Sequence, residues 1–176
     1  MAIHPLEKAE ASPAAQAVYA SIERTGARPS NFIKMLGHAP GILAGFSTLN
    51  DAIWAEGALP SELKDLAYLR ASIVNGCYRC TLSHAASSKR RGYSDEQVAA
   101  LKEPHGRRRP DLFSPVELAV LRFTDLLTTR PGNVDAADLE ALAAHLDTAQ
   151  VVELVATIAT ANWTNRINEG LLTPPG

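Results

Sequence analysis

Apolar residues recur along this chain at intervals of three and four, while alternating strand patterns and hairpin turn pairs are missing; the pattern predicts an all-α protein. Ser12-Pro13 supplies a cap and a first-turn proline for an opening helix whose Val18 and Ile22 form one apolar face and which ends near Gly26. A short turn of helix covers Phe32 to Leu36. Pro40 then starts a segment in which Ile42, Phe46, Leu49 and Ile53 form a stripe expected to face the core. Pro60-Ser61 begins a further helix through Leu63, Leu66, Leu69 and Ile73, and Asn75-Gly76, a pair suited to a helix C-terminus or tight turn, breaks it.

The next helix is expected from about Cys77 to Arg91, with its stop at Gly92. Ser94 with Gln97, and Ser114 with Glu117, read as capping boxes. Lys102 to Pro110, with two prolines, a glycine and Arg107-Arg108-Arg109, reads as an exposed, solvated loop. The last helices start at Asp135 and Asp147, the latter with Gln150 three residues on, and the final one extends to Gly170. Its Val151, Leu154, Val155, Ile158 and Ala159 call for burial in the bundle or against another subunit, so an oligomer is expected. Leu63 to Cys77 and Val151 to Asn165 share a loose carboxylate-then-apolar pattern that aligns Asp65 with Glu153.

With 176 residues, 46% of them hydrophobic, the chain suits one globular domain over 1–176, its motif core at 60–92. A formal net charge of -2 gives no general attraction to nucleic acid or an anionic membrane. The N-terminus lacks a basic region followed by an apolar run, and no stretch approaches the roughly 20 apolar residues of a bilayer span, so a cytoplasmic protein is expected. Only two cysteines occur, Cys77 and Cys80, which points to catalysis or metal binding rather than a structural disulfide framework.

On a helix beginning near Cys77, a spacing of three puts both sulfurs on one face, and Cys80 and His84 form an i,i+4 pair. The helix N-terminus favours a thiolate, and Arg79 adds positive field. His84 can exchange a proton with Cys80 near neutrality. If Cys80 attacks a peroxide it becomes a sulfenic acid, and Cys77 can resolve it as a disulfide. Against this stand a chance pair of small buried cysteines and a zinc site; two thiolates and one imidazole make three tetrahedral ligands, but His38, His105 and His145 lie too far along the chain to suggest a fourth. His4 reads as a mobile terminal residue and His145 as a helix-end cation.

Asn75-Gly76-Cys77-Tyr78-Arg79-Cys80 with His84, Leu66 to Arg70 before it, His38-Ala39-Pro40 upstream and Asn162-Trp163-Thr164-Asn165-Arg166 near the end together resemble the carboxymuconolactone decarboxylase and AhpD superfamily, in its alkylhydroperoxidase-like, peroxidase-related branch. The resemblance implies an all-helical, AhpD-like bundle assembled as a homotrimer or homohexamer with the active site near a subunit boundary. It also implies that Cys80 attacks, Cys77 resolves and His84 joins a carboxylate proton relay. At the relay glutamate's position, twelve residues before Cys77, this chain has Asp65, one methylene shorter, so either a water bridge or a weaker relay is expected. Arg79 stands where mycobacterial-type members carry a further histidine. Asn165 and Arg166 are expected to hydrogen-bond within the bundle rather than to catalyse.

The expected function is therefore thiol-dependent reduction of hydroperoxides by a Cys77/Cys80 cycle, with His84 and Asp65 handling protons. No nicotinamide or flavin fingerprint is visible, so no cofactor is expected, and electrons should come from a thiol donor, a lipoyl or thioredoxin-like protein by resemblance. A carboxymuconolactone-type decarboxylase and a noncatalytic thiol sensor or disulfide-exchange protein are the alternatives.

Overall fold

The computed structural model describes residues 3–103 and 109–175; among these, nine α-helices and a 3-10 turn at Pro131–Asn133 account for the regular structure, and no strand occurs. Of the arginine-rich loop, residues 104–108, with His105, Arg107 and Arg108, lie outside the described residues. Arg109 pairs with Asp111 at 2.5 Å and Glu96 at 3.6 Å. The chain forms two compact units, one of residues up to Ala55 with those from Arg166 onward, the other of Glu56–Asn165.

In the first unit, α1 (Pro13–Arg24) is capped by the Ser12 side chain, as the Ser-Pro pair predicts. Its Tyr19 is 1% exposed and donates its hydroxyl hydrogen toward the Leu6 carbonyl at 3.1 Å. In α2 (Asn31–Leu36) Phe32 meets Phe46 of α3 (Pro40–Trp54) edge-on, with ring centroids 5.1 Å apart. The stripe expected on α3 is half wrong. Phe46 and Ile53 are buried, but Ile42 is 55% and Leu49 47% exposed, and Leu43 is buried in their place. At about 100° per residue the buried face centres between Leu43 and Phe46, which puts Ile42 and Leu49 beyond its edge.

The second unit is built on α4 (Ser61–Val74), whose residues from Leu63 through Ser72 are all buried. A helix enclosed on every side can carry no polar face, so its polar side chains need internal partners. Arg70 shows how this is met: Nε and Nη2 donate to Asp125 of α7 (Pro115–Thr129) at 2.6 and 3.1 Å, and Nη1 donates to the Leu101 carbonyl at 2.6 Å. Around α4 pack Leu59, Leu101, Phe113, Leu121, Leu154 and Ile158 of one apolar cluster. The capping boxes predicted at Ser94 for α6 (Asp95–Ala100) and Ser114 for α7 are both closed, and Asp135 with Asp138 closes a third for α8 (Ala136–Ala143). Asp147 and Gln150 exchange two 2.9 Å bonds at the start of α9 (Thr148–Gly170). Among the described residues no single helix is long and apolar enough to cross a membrane.

Candidate active site

The chain leaves α4 through Asn75 and Gly76, and at Gly76 φ reaches 69°, the left-handed region that glycine adopts without a steric penalty. The Cys77 amide then donates back to the Ser72 carbonyl at 3.0 Å, and Cys77 serves as N-cap of α5 (Tyr78–Arg90) with no side-chain hydrogen bond of its own. Beneath this turn, Asn75 Nδ2 donates to Asn162 and Asn165 at 3.0 and 2.9 Å, and Asn165 Nδ2 donates to Ser72 Oγ at 3.1 Å. Asn165 is 1% exposed and has the hydrogen-bonding role expected of it, and Arg166 next to it is exposed. One step along a helix turns a side chain about 100°, so the two neighbours point to different surroundings.

Cys77 and Cys80 are paired through their sulfurs across a Cα separation of 5.4 Å, and both are buried, Cys77 fully. Tyr78 between them is 73% exposed, and Leu82 one turn on is 51% exposed. Arg79 keeps its Nη1 buried with no hydrogen-bond partner. At α5's first turn the unpaired amides and positive dipole end lie beside Cys77 and Cys80, which favours thiolate over thiol once the pair is reduced.

His84 and Asp65 meet directly. His84 Nδ1 lies 3.0 Å from Asp65 Oδ1, so no water bridge is needed for the shorter side chain. The crossing of α4 and α5 supplies the reach that the missing methylene would have given. Asp65 has no solvent exposure. Its other oxygen accepts from Ser87 Oγ at 2.7 Å and from Arg91 Nε. Burial pushes the Asp65 carboxyl up, but the hydrogen bonds of His84 and Ser87, the His84 charge and the Arg91 hydrogen bond outweigh it and hold the group below the ordinary 3.8. The His84 ring also stacks on Tyr68, centroids 3.8 Å apart, and the Tyr68 hydroxyl sits 2.5 Å from Thr164 Oγ1. Burial pushes that phenol up to about 12, against a lowering by Thr164, so Tyr68 stays neutral.

Ser87, Arg91, Tyr68 and Thr164 were not singled out by sequence reasoning. A signal existed for two of them: Cys80, His84, Ser87 and Arg91 follow one another at four, three and four residues and therefore share a single face of α5. Elsewhere, His38 Nε2 lies 2.8 Å from the His4 carbonyl oxygen, and the two rings meet edge-on, so His4 is tied down rather than loose. His145 is exposed just past α8. Among the described residues no group of three or more His, Cys, Asp or Glu side chains is spaced to hold a metal ion.

The model of the carboxymuconolactone decarboxylase family matches residues 40–126, a span that takes in Asp65, both cysteines, His84 and Arg91. The family match and the AhpD-like solved structures together support the carboxymuconolactone decarboxylase and AhpD-like superfamily. An AhpD-like, peroxidase-related protein from Ralstonia eutropha JMP134 superposes with a TM-score of 0.84 at 20% identity, over 100% of this chain and 94% of its own. The debrominase Bmp8 superposes with a TM-score of 0.80 at 24% identity, over 99% and 91%. Both likenesses are of fold. The uncharacterized protein YdfG of Bacillus subtilis (strain 168) is 29% identical over 114 residues, 64% of this chain and 76% of the relative. Family members are enzymes, and their AhpD-like bundle here carries a cysteine pair.

Proposed function

We propose that this protein is a thiol peroxidase that reduces hydroperoxides through a Cys77/Cys80 dithiol cycle. The Cys80 thiolate attacks the terminal peroxide oxygen; the O–O bond breaks, the alkoxide takes a proton by way of His84, and Cys80 is left as sulfenic acid. The Cys77 thiol then displaces water, forming the disulfide, and an external dithiol returns both electrons by exchange and leaves as its own disulfide. One observation carries this reading: the buried cysteine pair at the head of α5 shares a helix face with a histidine whose Nδ1 is held by a buried carboxylate. A reducing compartment such as the cytoplasm, a lipoyl or thioredoxin-like donor and a homotrimeric or homohexameric assembly belong to the same proposal.

The debrominase neighbour favours a second use of the same two electrons. A cysteine-to-alanine variant of Bmp8 has been solved in complex with 2,3,4-tribromopyrrole. A dithiol can reduce a carbon–bromine bond to carbon–hydrogen, ending as a disulfide with release of bromide. Decarboxylation of a cyclic lactone acid needs no thiol at all, and a sensor would be oxidised without turnover.

The deciding experiment is hydroperoxide consumption driven by a small dithiol, wild type against Cys80→Ser and Cys77→Ser, with 2,3,4-tribromopyrrole and a muconolactone acid as parallel substrates. Peroxide turnover abolished by Cys80→Ser supports the proposal. Bromide release without peroxide turnover, lactone turnover that survives loss of both cysteines, or no turnover by the folded, reduced protein would each refute it.

A further inference from the structure

Resting on the thiol-site reading, the surroundings of Asp65 define its role more narrowly than a member of a proton relay. A general base needs a lone pair free for the incoming proton and an affinity for it near the working pH. Asp65 is poorly suited on both counts: its carboxyl is held below the ordinary 3.8, and three donors occupy three of its roughly four lone-pair sites. Oδ1 is taken by His84 Nδ1 at 3.0 Å, and Oδ2 by Ser87 Oγ at 2.7 Å and Arg91 Nε. The carboxylate is wholly shielded from water, where an unpaired charge would tend to neutralise.

We propose that Arg91 and Ser87 are positioning residues of the thiol site: they lock Asp65 as a permanent carboxylate that orients His84, with Nδ1–H directed at Asp65 and Nε2 as the nitrogen that exchanges protons with the thiols. The geometry follows from α5 itself. His84, Ser87 and Arg91 lie on the face that also carries Cys80, and Arg91 is the C-cap residue, beside Gly92 at φ 103° where the chain turns away. Arg91 keeps a third of its side chain in water, so its charge is retained at little desolvation cost while its Nε reaches the buried oxygen. On its far side His84 is fixed by the Tyr68 ring. The other titratable groups around this corner leave the assignment unchanged. Tyr68 is neutral, and burial, with the charges of Glu117, Glu62 and Asp65, pushes the Tyr93 hydroxyl up and keeps it neutral as well. Arg91 is thus the permanently charged partner of this carboxylate, whereas His84 carries a charge only when protonated.

The test uses the full chain in its dithiol-reduced state as wild type, Arg91→Met, Arg91→Lys and Ser87→Ala. Two signals are followed against pH by NMR: the Asp65 carboxyl carbon and the His84 ring nitrogens, which report the tautomer. Arg91→Met should raise the Asp65 midpoint by about 1–3 pH units, the range for loss of an adjacent opposite charge. Across that midpoint the His84 ring-nitrogen signals should shift, because a protonated Asp65 no longer holds Nδ1–H as a carboxylate does. Arg91→Lys should restore most of the shift, and Ser87→Ala should move the midpoint upward by a smaller amount. A purely structural role would lower stability without moving either signal. Asp65 and His84 titrations in Arg91→Met that superpose on wild type overturn the proposal; if that variant does not fold, Ser87→Ala carries the same criterion. Because neither signal requires a substrate, absence of peroxide turnover with the midpoints moving as stated would refute the peroxidase reading and leave the positioning role supported.

Discussion

Glu153→Gln tests how α9 is tied to the entry of α4. Glu153 Oε1 accepts from the Ala58 amide at 2.8 Å, and Oε2 accepts from the Leu59 amide at 3.1 Å and receives Lys64 Nζ, a side chain 3% exposed, at 3.0 Å. Gly57 leaves room for this arrangement, since a Cβ there would lie 2.6 Å from Oε1. The Ala58 amide, the Lys64 hydrogen bond and the Leu59 amide lower the carboxyl from the ordinary 4.5 to about 2. The folded value is the depressed one, so the contribution to stability is fully present above the unfolded value and is lost as pH falls from about 4.5 toward 2. That interval corresponds to at most about 3 kcal/mol, and because 32% of the Glu153 side chain is open to solvent we expect about 2 kcal/mol. Glutamine keeps one acceptor oxygen but not the charge. Urea unfolding followed by circular dichroism should therefore find the variant about 2 kcal/mol less stable at neutral pH, with the gap closing as wild-type Glu153 becomes protonated. A gap of the same size near neutrality and in the acid range would refute the reasoning, because only an ionised carboxylate gives it this pH dependence.

Three further outcomes are expected. Asp125→Ala removes the forked partner of Arg70, itself 7% exposed, and should cost about 3–5 kcal/mol in the same unfolding assay. Gly76→Ala meets no atom within 4 Å but must hold φ near 69°, so it should cost about 1–2 kcal/mol, with slower closure of the Cys77–Cys80 disulfide measured by thiol trapping after oxidation. Tyr68→Phe loses the 2.5 Å contact with Thr164 yet keeps a ring against His84; unfolding should report a loss of about 1 kcal/mol, and the pH dependence of turnover should be unchanged.

Much of the site was legible in the chain because its parts lie within a few residues of one another. Cys77, Cys80 and His84 span two turns of α5, and helical spacing alone places Cys80 and His84 on one face. The same periodicity extends to Ser87 and Arg91, whose bonds to Asp65 were missed because nothing in a helix face says what lies opposite it. Asp65 was found by its resemblance to a relay glutamate, but its burial, its direct bond to His84 and its bonds from Ser87 and Arg91 arise from helix crossing.

By itself the sequence determined the helical class and most helix starts. A capping box closes over three residues and an apolar stripe repeats within four, so the information is as local as the bonds that use it. It also determined which residues can carry thiol chemistry. Tertiary structure alone decided which face of α3 is covered, where Ile42 and Leu49 were expected inside and lie outside. It likewise decided that Asp65 reaches a histidine 19 positions away, that Tyr68 is anchored to Thr164 across 96 positions, and that Glu153 caps amides 94 and 95 positions earlier. Such contacts depend on the angle and register at which helices pack, which are set by the whole core and not by any segment of the chain.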